Sequence, residues 1–316
     1  MPMLVRRSNL IVPITNSHFL QGAWRHSADA VTLDLEDSVV EPLKEEARGM
    51  VKDAIGVVAK GASEVFVRVN KPFAQADIEA SVWPGLAGIV LPRVESPEEV
   101  IEASQIIGTM EGSRGLEKGS LQMVLLLESA AAVWKIREII KAVPRVTQVS
   151  LDESDLSSDL GITPLPDQDP FVYARGRLVV EAIAAGVQPV GVTHPMGTQA
   201  RFSSPEEILK IATDSKNLGF RGIFCPHPSW VEPVNTAFTP TQSQVDYYTQ
   251  VRQVFAQAIA AGTAAVPFHG RMIDVPVDEW AKDVLAMAAA CGTRDAQKRD
   301  ALALARGGDP GDDSCD

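Results

Sequence analysis

Eight short apolar runs, separated by segments with helical patterns, divide residues 1–240 into repeating strand–helix units. The spacing is about 30 residues per unit, as in βαβ repeats. Strict alternation predicts a parallel sheet, and eight units predict its closure into a TIM (β/α)8 barrel. An open doubly wound sheet is the alternative, but that fold usually has a Gly-rich first turn, and here the first turn reads PITN. We therefore predict an α/β fold, a TIM barrel over residues 1–240 followed by a C-terminal helical and loop extension.

The predicted strands are short and rich in aliphatic and β-branched residues, which is typical of strands buried on both faces. In chain order they span 9–13, 30–35, 64–70, 87–93, 122–128, 146–151, 188–193 and 222–227. The segments between them carry helix signals. Pro42 opens a segment with apolar residues at helical spacing that stops at Gly61, and Ser96 provides an N-cap ahead of two glutamates. Helices are also predicted over 130–143, 171–186 and 205–218.

The chain beyond the barrel divides into an extension over residues 241–292 and a tail over 293–316. The extension is predicted to contain a helix over 242–261, a loop with strand-like character and a second helix over 278–290. The tail ends in RGGDPGDDSCD, a Gly- and Asp-rich composition typical of disordered termini. We expect the tail to be partly disordered.

The composition narrows the functional class. Hydrophobic residues make up 45% and charged residues 22%, as in soluble globular proteins. No apolar run is long enough to span a bilayer, and the first residues lack a signal-peptide core. Three widely spaced cysteines indicate neither a disulfide framework nor a CxxC metal site, so we expect a cytoplasmic protein. The net charge of −12 argues against a nucleic-acid partner, although local arginines could still bind a small anion.

Polar side chains follow most of the predicted strands, where TIM barrels carry their active sites. In AVTLDLEDSVVEP, an apolar run passes directly into Asp34, Glu36 and Asp37. A carboxylate at a buried position is costly unless it is paired or binds a metal. The other strand ends carry Pro13, Arg68 with Asn70, Pro92 with Arg93, Glu128, Asp152 with Asp155, His194 and His227. This recurrence favours a functional site over strand ends that simply enter solvent.

Glu128 and Asp155 follow neighbouring strands and form a plausible site for a hard cation, since oxygen ligands suit Mg²⁺ or Mn²⁺. The alternative is that both carboxylates cap helices or turns. Arg68 suits a substrate carboxylate because its guanidinium group offers paired donors. A structural salt bridge to one of the acids near Asp37 is the alternative. His194 and His227 each precede a proline, and structural hydrogen bonding is the simpler interpretation of both.

These strand ends resemble those of the citrate lyase β-subunit and malyl-CoA lyase family, over residues 7–290. The motifs that carry the resemblance are RSNLIVP, ADAVTLDLEDSVVEPLKEEAR, VFVRVN, GIVLPRVESPEEV, LLLES, SDLSSDLG, GFRGIFCPHPSWVEPVNTAFTP and GRMIDVP. The combination of LDLED, VRVN and LPRVES is specific. The resemblance implies a TIM barrel and a Mg²⁺- or Mn²⁺-dependent carbon–carbon lyase.

The same resemblance assigns roles to individual residues. It implies that Glu128 and Asp155 are the metal ligands and that Arg68 holds the substrate's carboxylate or carbonyl. Asp37 falls on the acidic position after the second strand, and Asp37 or Asp274 would be the catalytic carboxylate that moves the proton during cleavage. Glu36 is a further substrate-binding candidate. Asp274, in GRMIDVP, matches the aspartate that a neighbouring subunit places over the site, so we expect a homo-oligomer, a trimer or hexamer, in which residues 241–292 form a lid over a neighbour.

The implied substrate is a β-hydroxyacyl compound such as malyl-CoA or citramalyl-CoA, giving an oxo acid and an acetyl-CoA-type product. Two departures leave the requirement for CoA open. The first loop reads PITNSHF rather than PG followed by a basic residue, and GIFCPHP lacks the lysine common in relatives. A third departure is PVGVTHP, without the usual acid. The alternatives are a class II aldolase acting on a free hydroxy-oxo acid, or a non-catalytic barrel of an acyl-lyase complex. The intact Glu128, Asp155 and Arg68 argue against the latter.

Overall fold

A computed structural model describes residues 4–165, 168–192 and 204–307 of the chain. Its strands are β1 (Ser8–Pro13), β2 (Ala30–Asp34), β3 (Glu64–Arg68), β4 (Leu86–Leu91), β5 (Gln122–Leu127), β6 (Val146–Leu151), β7 (Gln188–Val190), β8 (Ile223–Cys225), β9 (Val266–Phe268) and β10 (Arg271–Ile273). Its helices are α1 (Ser17–Gly22), α2 (Lys44–Val58), α3 (Ala74–Ser81), α4 (Pro97–Ser113), α5 (Ala130–Trp134), α6 (Ile136–Ile140), α7 (Glu153–Asp159), α8 (Val172–Ala185), α9 (Pro205–Leu218), α10 (Val231–Phe238), α11 (Gln242–Ala260) and α12 (Val275–Gly307).

The first eight strands form one parallel sheet that curls into a nearly closed barrel. Strands β1 to β7 pair in sequence order, and β1 also pairs with β8. Between β7 and β8, the Arg221 N–H donates to the Pro189 carbonyl at 2.9 Å and the Gly191 N–H donates to the Gly222 carbonyl at 3.0 Å. These bonds close the ring beyond the assigned strands, so the TIM-barrel prediction is confirmed.

The register of the sheet sets which side chains meet at the C-terminal ends of the strands, called the mouth below. Asp34, the last residue of β2, lies opposite Arg68, the last residue of β3. Inside the barrel, Ala30 and Phe66 pack in a small apolar cluster. Side chains alternate between the two faces of a strand, so Asp34 shares the inward face of Ala30, and Arg68 that of Phe66. The alternation therefore directs both charges into the barrel.

Two predicted helices differ from those observed. The helix expected over 130–143 is divided at Lys135 into α5 and α6. The last helix, expected to end at Ala290, continues to Gly307. Its C-terminal half docks on the barrel base, where the Lys298 ammonium donates to Asp29 at 2.6 Å and to the Ser27 carbonyl at 2.9 Å. This tertiary contact stabilises helix in a segment whose sequence alone favours disorder.

The C-terminal arm, residues 242–290, comprises α11, the antiparallel hairpin β9–β10 and the first half of α12. It has its own small core, in which Val251 and Phe255 pack against Ile273 and Ala281. Along α12, the 23 residue steps from Val275 to Lys298, at about 1.5 Å each, put the hairpin about 35 Å from the anchored part of the helix. None of the helices in the described residues is long and apolar enough to cross a membrane.

Candidate functional site

Arg68 and Asp34 form the buried base of the site. Arg68 Nε and Nη2 donate to the two Asp34 oxygens, each at 2.7 Å. Asp34 also accepts the N–H groups of Glu36 at 3.0 Å and Ser38 at 3.1 Å. Burial by itself would raise the pKa of Asp34, but the hydrogen bonds and charge of Arg68 outweigh it and hold that pKa below its ordinary value. Asp34 is therefore an ionised anchor for Arg68.

The loop after β2 presents two more carboxylates to the same guanidinium group. Arg68 Nη1 lies 3.3 Å from Glu36 and 3.2 Å from Asp37. Lys44 holds this loop in place by donating to the carbonyls of Leu35 at 3.1 Å and Glu36 at 2.8 Å. Burial raises the pKa of Glu36 to about 7, with the neighbouring Asp37 charge adding to burial and the Arg68 and Arg93 charges opposing it. Glu36 therefore exchanges a proton near neutral pH.

Arg93 joins the loop after β2 to the opposite side of the mouth. Its guanidinium group lies 3.2 Å from Glu36 and 3.6 Å from Asp37 on one side. On the other side it lies 3.4 Å from Glu128 and 3.3 Å from Asp155. The backbone of Arg93 is left-handed, with φ of 53°. Its N–H also donates to Glu128 Oε1 at 3.1 Å, so both the backbone and the side chain of Arg93 contact Glu128.

Glu128 and Asp155 lie close together at the ends of β5 and β6. Burial raises the pKa of Glu128 to about 9, helped by a hydrogen bond with the Asp155 carboxyl and by the charge of Asp152. Asp152 caps α7 by accepting the N–H groups of Ser154 at 2.9 Å and Asp155 at 3.3 Å. The alternative for Glu128 and Asp155 is a capping role, but the N-caps of α5 and α7 are Ser129 and Asp152, and Asp155 faces Arg93. Two adjacent carboxylates that share one cationic neighbour are the oxygen donors that Mg²⁺ prefers.

A cavity of about 240 Å³ opens beside this cluster. Its lining includes the polar residues Arg68, Asp152 and Ser150 and the apolar residues Phe224 and Trp230. The buried Trp230 indole N–H has no hydrogen-bond partner among the described residues. The cavity therefore combines a largely apolar lining with a few charged and polar groups, as small-molecule sites do.

Five of the six predicted site residues come together at the mouth through contacts with Arg68 and Arg93. They are Glu36, Asp37, Arg68, Glu128 and Asp155. The sixth, Asp274, lies on the C-terminal arm, where its carboxylate accepts the Val277 N–H at 3.3 Å at the start of α12. Within one chain, Asp274 is a helix cap.

Sequence reasoning located Asp34 and Arg93 at strand ends but assigned neither of them a role. The role of Asp34 could have been predicted from the sequence. The last inward-facing residues of two neighbouring barrel strands lie side by side, and here these residues are Asp34 and Arg68. Of the two histidines, His227 is structural, since its Nδ1 accepts the Ser229 N–H at 3.2 Å. His194 lies outside the described residues.

Comparison with known proteins identifies relatives of this chain and solved structures with the same fold. The citrate lyase subunit beta of Leuconostoc mesenteroides subsp. cremoris is 30% identical over 287 residues, covering 90% of this chain and 93% of the relative. The mitochondrial citramalyl-CoA lyase of Rattus norvegicus is 28% identical, covering 90% of this chain and 86% of the relative. CitE from Mycobacterium tuberculosis, solved with magnesium, acetoacetate and coenzyme A, shares the fold with a TM-score of 0.66 at 24% identity, covering 89% and 97% of the two chains. Residues 7–228 match the sequence model of the HpcH/HpaI aldolase/citrate lyase family, and the chain belongs to that family.

Proposed function

We propose that the chain is a Mg²⁺-dependent carbon–carbon lyase that cleaves, or forms, a β-hydroxyacyl thioester such as malyl-CoA or citramalyl-CoA. The homologues are carbon–carbon lyases, which supports the reaction class. The proposal depends mainly on one observation: Glu128 and Asp155 both contact the guanidinium group of Arg93, close to Arg68. The products are an oxo acid and an acetyl-CoA-type thioester.

Glu128 and Asp155 would hold the metal. Their oxygens fit a hard cation, and the raised pKa of Glu128, due first to burial and then to Asp155, marks a carboxylate pair that a bound cation would stabilise in its ionised form. A divalent cation at this position would supply stabilisation for the negative charge that develops as the bond breaks. We propose Mg²⁺, with Mn²⁺ as a substitute.

Arg68 orients the acid portion of the substrate. Two of its nitrogens are held by Asp34, so its third nitrogen points toward the mouth in a fixed direction. Glu36 and Asp37 border the same space and complete the substrate-binding wall. A preorganised guanidinium group loses little freedom when it binds a carboxylate, and this favours orientation of the ligand.

Cleavage requires a base for the β-hydroxyl proton. When that proton leaves, the oxygen forms the oxo acid's carbonyl, the carbon–carbon bond breaks, and its electron pair becomes the thioester enolate. A proton then returns to the enolate carbon. Asp37 is engaged by two guanidinium groups, whereas the contacts of the Asp274 side chain within the described chain involve only a backbone N–H. We propose Asp274 as the principal proton-transfer residue.

Asp274 would reach the site from a second copy of the chain. The arm that carries it has a core separate from the barrel's, and α12 is anchored at the barrel base by Lys298 and Arg294. Exposed apolar side chains flank Asp274 on the arm, namely Met272 and Val275. Such side chains gain free energy when a neighbouring barrel covers them. We propose a homo-oligomer, a trimer or hexamer, in which each arm forms a lid over the next mouth.

The deciding experiment is an assay of the purified chain alone with Mg²⁺. Malyl-CoA should release glyoxylate or citramalyl-CoA should release pyruvate, in each case with acetyl-CoA. A free 4-hydroxy-2-oxo acid, assayed for release of pyruvate, serves as the parallel substrate, and Asp155→Ala serves as the inactive control. Turnover of this free acid but of neither thioester would favour a class II aldolase without CoA. Turnover of none would favour the non-catalytic barrel.

A further inference from the structure

Glu128 and Asp155 share one cationic neighbour in the described chain, the guanidinium group of Arg93. Arg93 Nε lies 3.4 Å from Glu128 Oε2, and Arg93 Nη2 lies 3.3 Å from Asp155 Oδ2. A magnesium ion binds carboxylate oxygens at about 2.0–2.1 Å. The two cations would need the same oxygens and would repel each other at this distance. Arg93 and a divalent metal therefore compete for the same two carboxylates.

Arg93 is built so that its backbone is fixed while its side chain can move. The Arg93 carbonyl accepts the Lys71 ammonium at 2.7 Å, and the Arg93 N–H donates to Glu128 at 3.1 Å. The side chain, by contrast, is 49% exposed, and its ion pairs with the described residues are all with carboxylates at the mouth. Leaving Asp155 would cost one ion pair that is exposed on both sides, and such pairs are individually weak. Leaving Glu128 would break a pair that is exposed only on the arginine side, but the Arg93 N–H would keep its hydrogen bond to Glu128. Glu36 and Asp37 remain within its reach.

The charges of the cluster favour this exchange. Two guanidinium groups, of Arg68 and Arg93, face five carboxylates, those of Asp34, Glu36, Asp37, Glu128 and Asp155. An incoming dication would therefore enter a negatively charged mouth, and the guanidinium group that it displaces would remain at the rim. A carboxylate ligand could then bind between the released, exposed guanidinium group of Arg93 and the fixed guanidinium group of Arg68.

We propose that Arg93 is a displaceable internal cation that couples metal binding to the binding of the acid. The metal takes its place between Glu128 and Asp155, and the released guanidinium group binds the carboxylate of the oxo acid. This inference rests on the proposed metal site. It adds to the proposed function a second arginine, Arg93, that selects for a carboxylate ligand. It also implies an order of binding in which the metal binds before the acid.

The test uses two substitutions that remove the guanidinium group and retain the backbone. Arg93→Asn and Arg93→Gly both tolerate φ of 53°, and both keep the N–H that contacts Glu128. We expect Mg²⁺, titrated calorimetrically, to bind about tenfold more tightly to each variant, since two ion pairs no longer compete. In saturating Mg²⁺, pyruvate and glyoxylate should bind about tenfold more weakly, since a carboxylate partner is lost. Arg93→Lys should give intermediate values for both.

Arg137→Ala is the matched control, because Arg137 is an exposed arginine paired with Glu181 away from the mouth. It should change neither affinity. Opposite shifts in the two affinities distinguish exchange from a structural role, which would weaken both. If the wild type binds Mg²⁺ and the variants bind it equally or more weakly, the inference is wrong and the proposed function stands. A wild type that binds no Mg²⁺ would overturn both. Failure of both small variants to fold, measured by circular dichroism, would also contradict a displaceable side chain.

Discussion

Asp34 and Arg68 lie opposite each other on neighbouring strands and share two hydrogen bonds of 2.7 Å each. Asp34 is fully buried, and Arg68 is nearly so. A buried carboxylate requires such a partner, since leaving it unpaired costs several kcal/mol. Breaking the pair would therefore destabilise the barrel, and the pair also directs the remaining Arg68 nitrogen toward the mouth, where it contacts Glu36 and Asp37. One arginine serves both the fold and the proposed site.

We expect Arg68→Lys to reduce both activity and stability. Lysine keeps the charge but cannot donate to both Asp34 oxygens in one plane while also reaching the cavity. The free energy of unfolding should fall by about 1–3 kcal/mol, because part of a buried carboxylate's hydrogen bonding is lost. Turnover per folded molecule should fall more than about 100-fold if Arg68 orients the substrate. Urea unfolding and steady-state kinetics measure the two effects separately.

Arg145→Lys is the control for that variant. Arg145 pairs with the buried Glu111 at 3.1 and 3.3 Å, away from the mouth. It should show a similar loss of stability with full turnover per folded molecule. Equal turnover in Arg68→Lys and wild type would assign Arg68 a purely structural role.

We expect Asp155→Ala to abolish Mg²⁺ binding and activity with little effect on folding. The side chain of Asp155 is 42% exposed, and α7 keeps its cap, Asp152. Loss of a metal ligand should reduce kcat by more than about 100-fold, since even removing a group that only orients a metal ligand costs about 10–100-fold. Calorimetric Mg²⁺ titration and kinetics provide the measurement. Asp159→Ala, on the same helix, should bind Mg²⁺ normally, and full activity of Asp155→Ala in a chelating buffer would remove the metal from the mechanism.

Stability should depend on pH through Asp29, which Arg7 and Lys298 contact at the barrel base. Burial by itself would raise the pKa of Asp29, but the hydrogen bonds and charges of Arg7 and Lys298 outweigh burial and hold the pKa below its ordinary value. Because the folded pKa is depressed, this stabilisation is fully present above the unfolded pKa of about 3.9 and is lost as pH falls through the folded pKa.

Asp29→Asn should therefore be less stable at neutral pH by about 1.5–3 kcal/mol, because Arg7 and Lys298 each lose one charged hydrogen-bond partner and keep only the Asp295 carboxylate as a charged partner. Its stability should also decline less steeply in acid than that of the wild type. Denaturant unfolding at neutral pH and below about pH 4 measures how much the free energy of unfolding of each protein falls between the two pH values. Asp214→Asn, in an exposed pair with Lys210, is the control and should behave as wild type at both values. Parallel slopes for Asp29→Asn and wild type would contradict the assignment.

Mixed oligomers test whether Asp274 acts between subunits. Asp155→Ala and Asp274→Ala chains are each expected to be inactive. Co-refolded in equal amounts, they should recover about one quarter of wild-type activity, because a random quarter of the sites draw an intact barrel and an intact arm from different chains. Asp155→Ala mixed with Glu128→Ala should recover none, since both defects lie in the barrel. Mixed oligomers as inactive as their parents would place Asp274 in its own subunit's site.

The sequence by itself determined the barrel and which charged residues lie at its mouth. Eight apolar runs at regular spacing specify parallel strands, and a polar residue after such a run must lie at the strand's C-terminal end. That is why Glu36, Asp37, Arg68, Glu128 and Asp155 could be placed at one mouth from their order in the chain. Strand periodicity and closure of the sheet need no knowledge of individual contacts.

Tertiary structure decided how those charges pair. Asp34 binds Arg68 because the register of β2 and β3 puts them side by side, and Arg93 reaches four carboxylates because its left-handed backbone turns its side chain across the mouth. The length of α12 depended on Asp29, which is distant in sequence and binds Lys298 at the barrel base. Each of these outcomes depends on groups brought together from different strands or from opposite ends of the chain. Electrostatic pairing depends on distance in space, and local sequence patterns do not encode that distance.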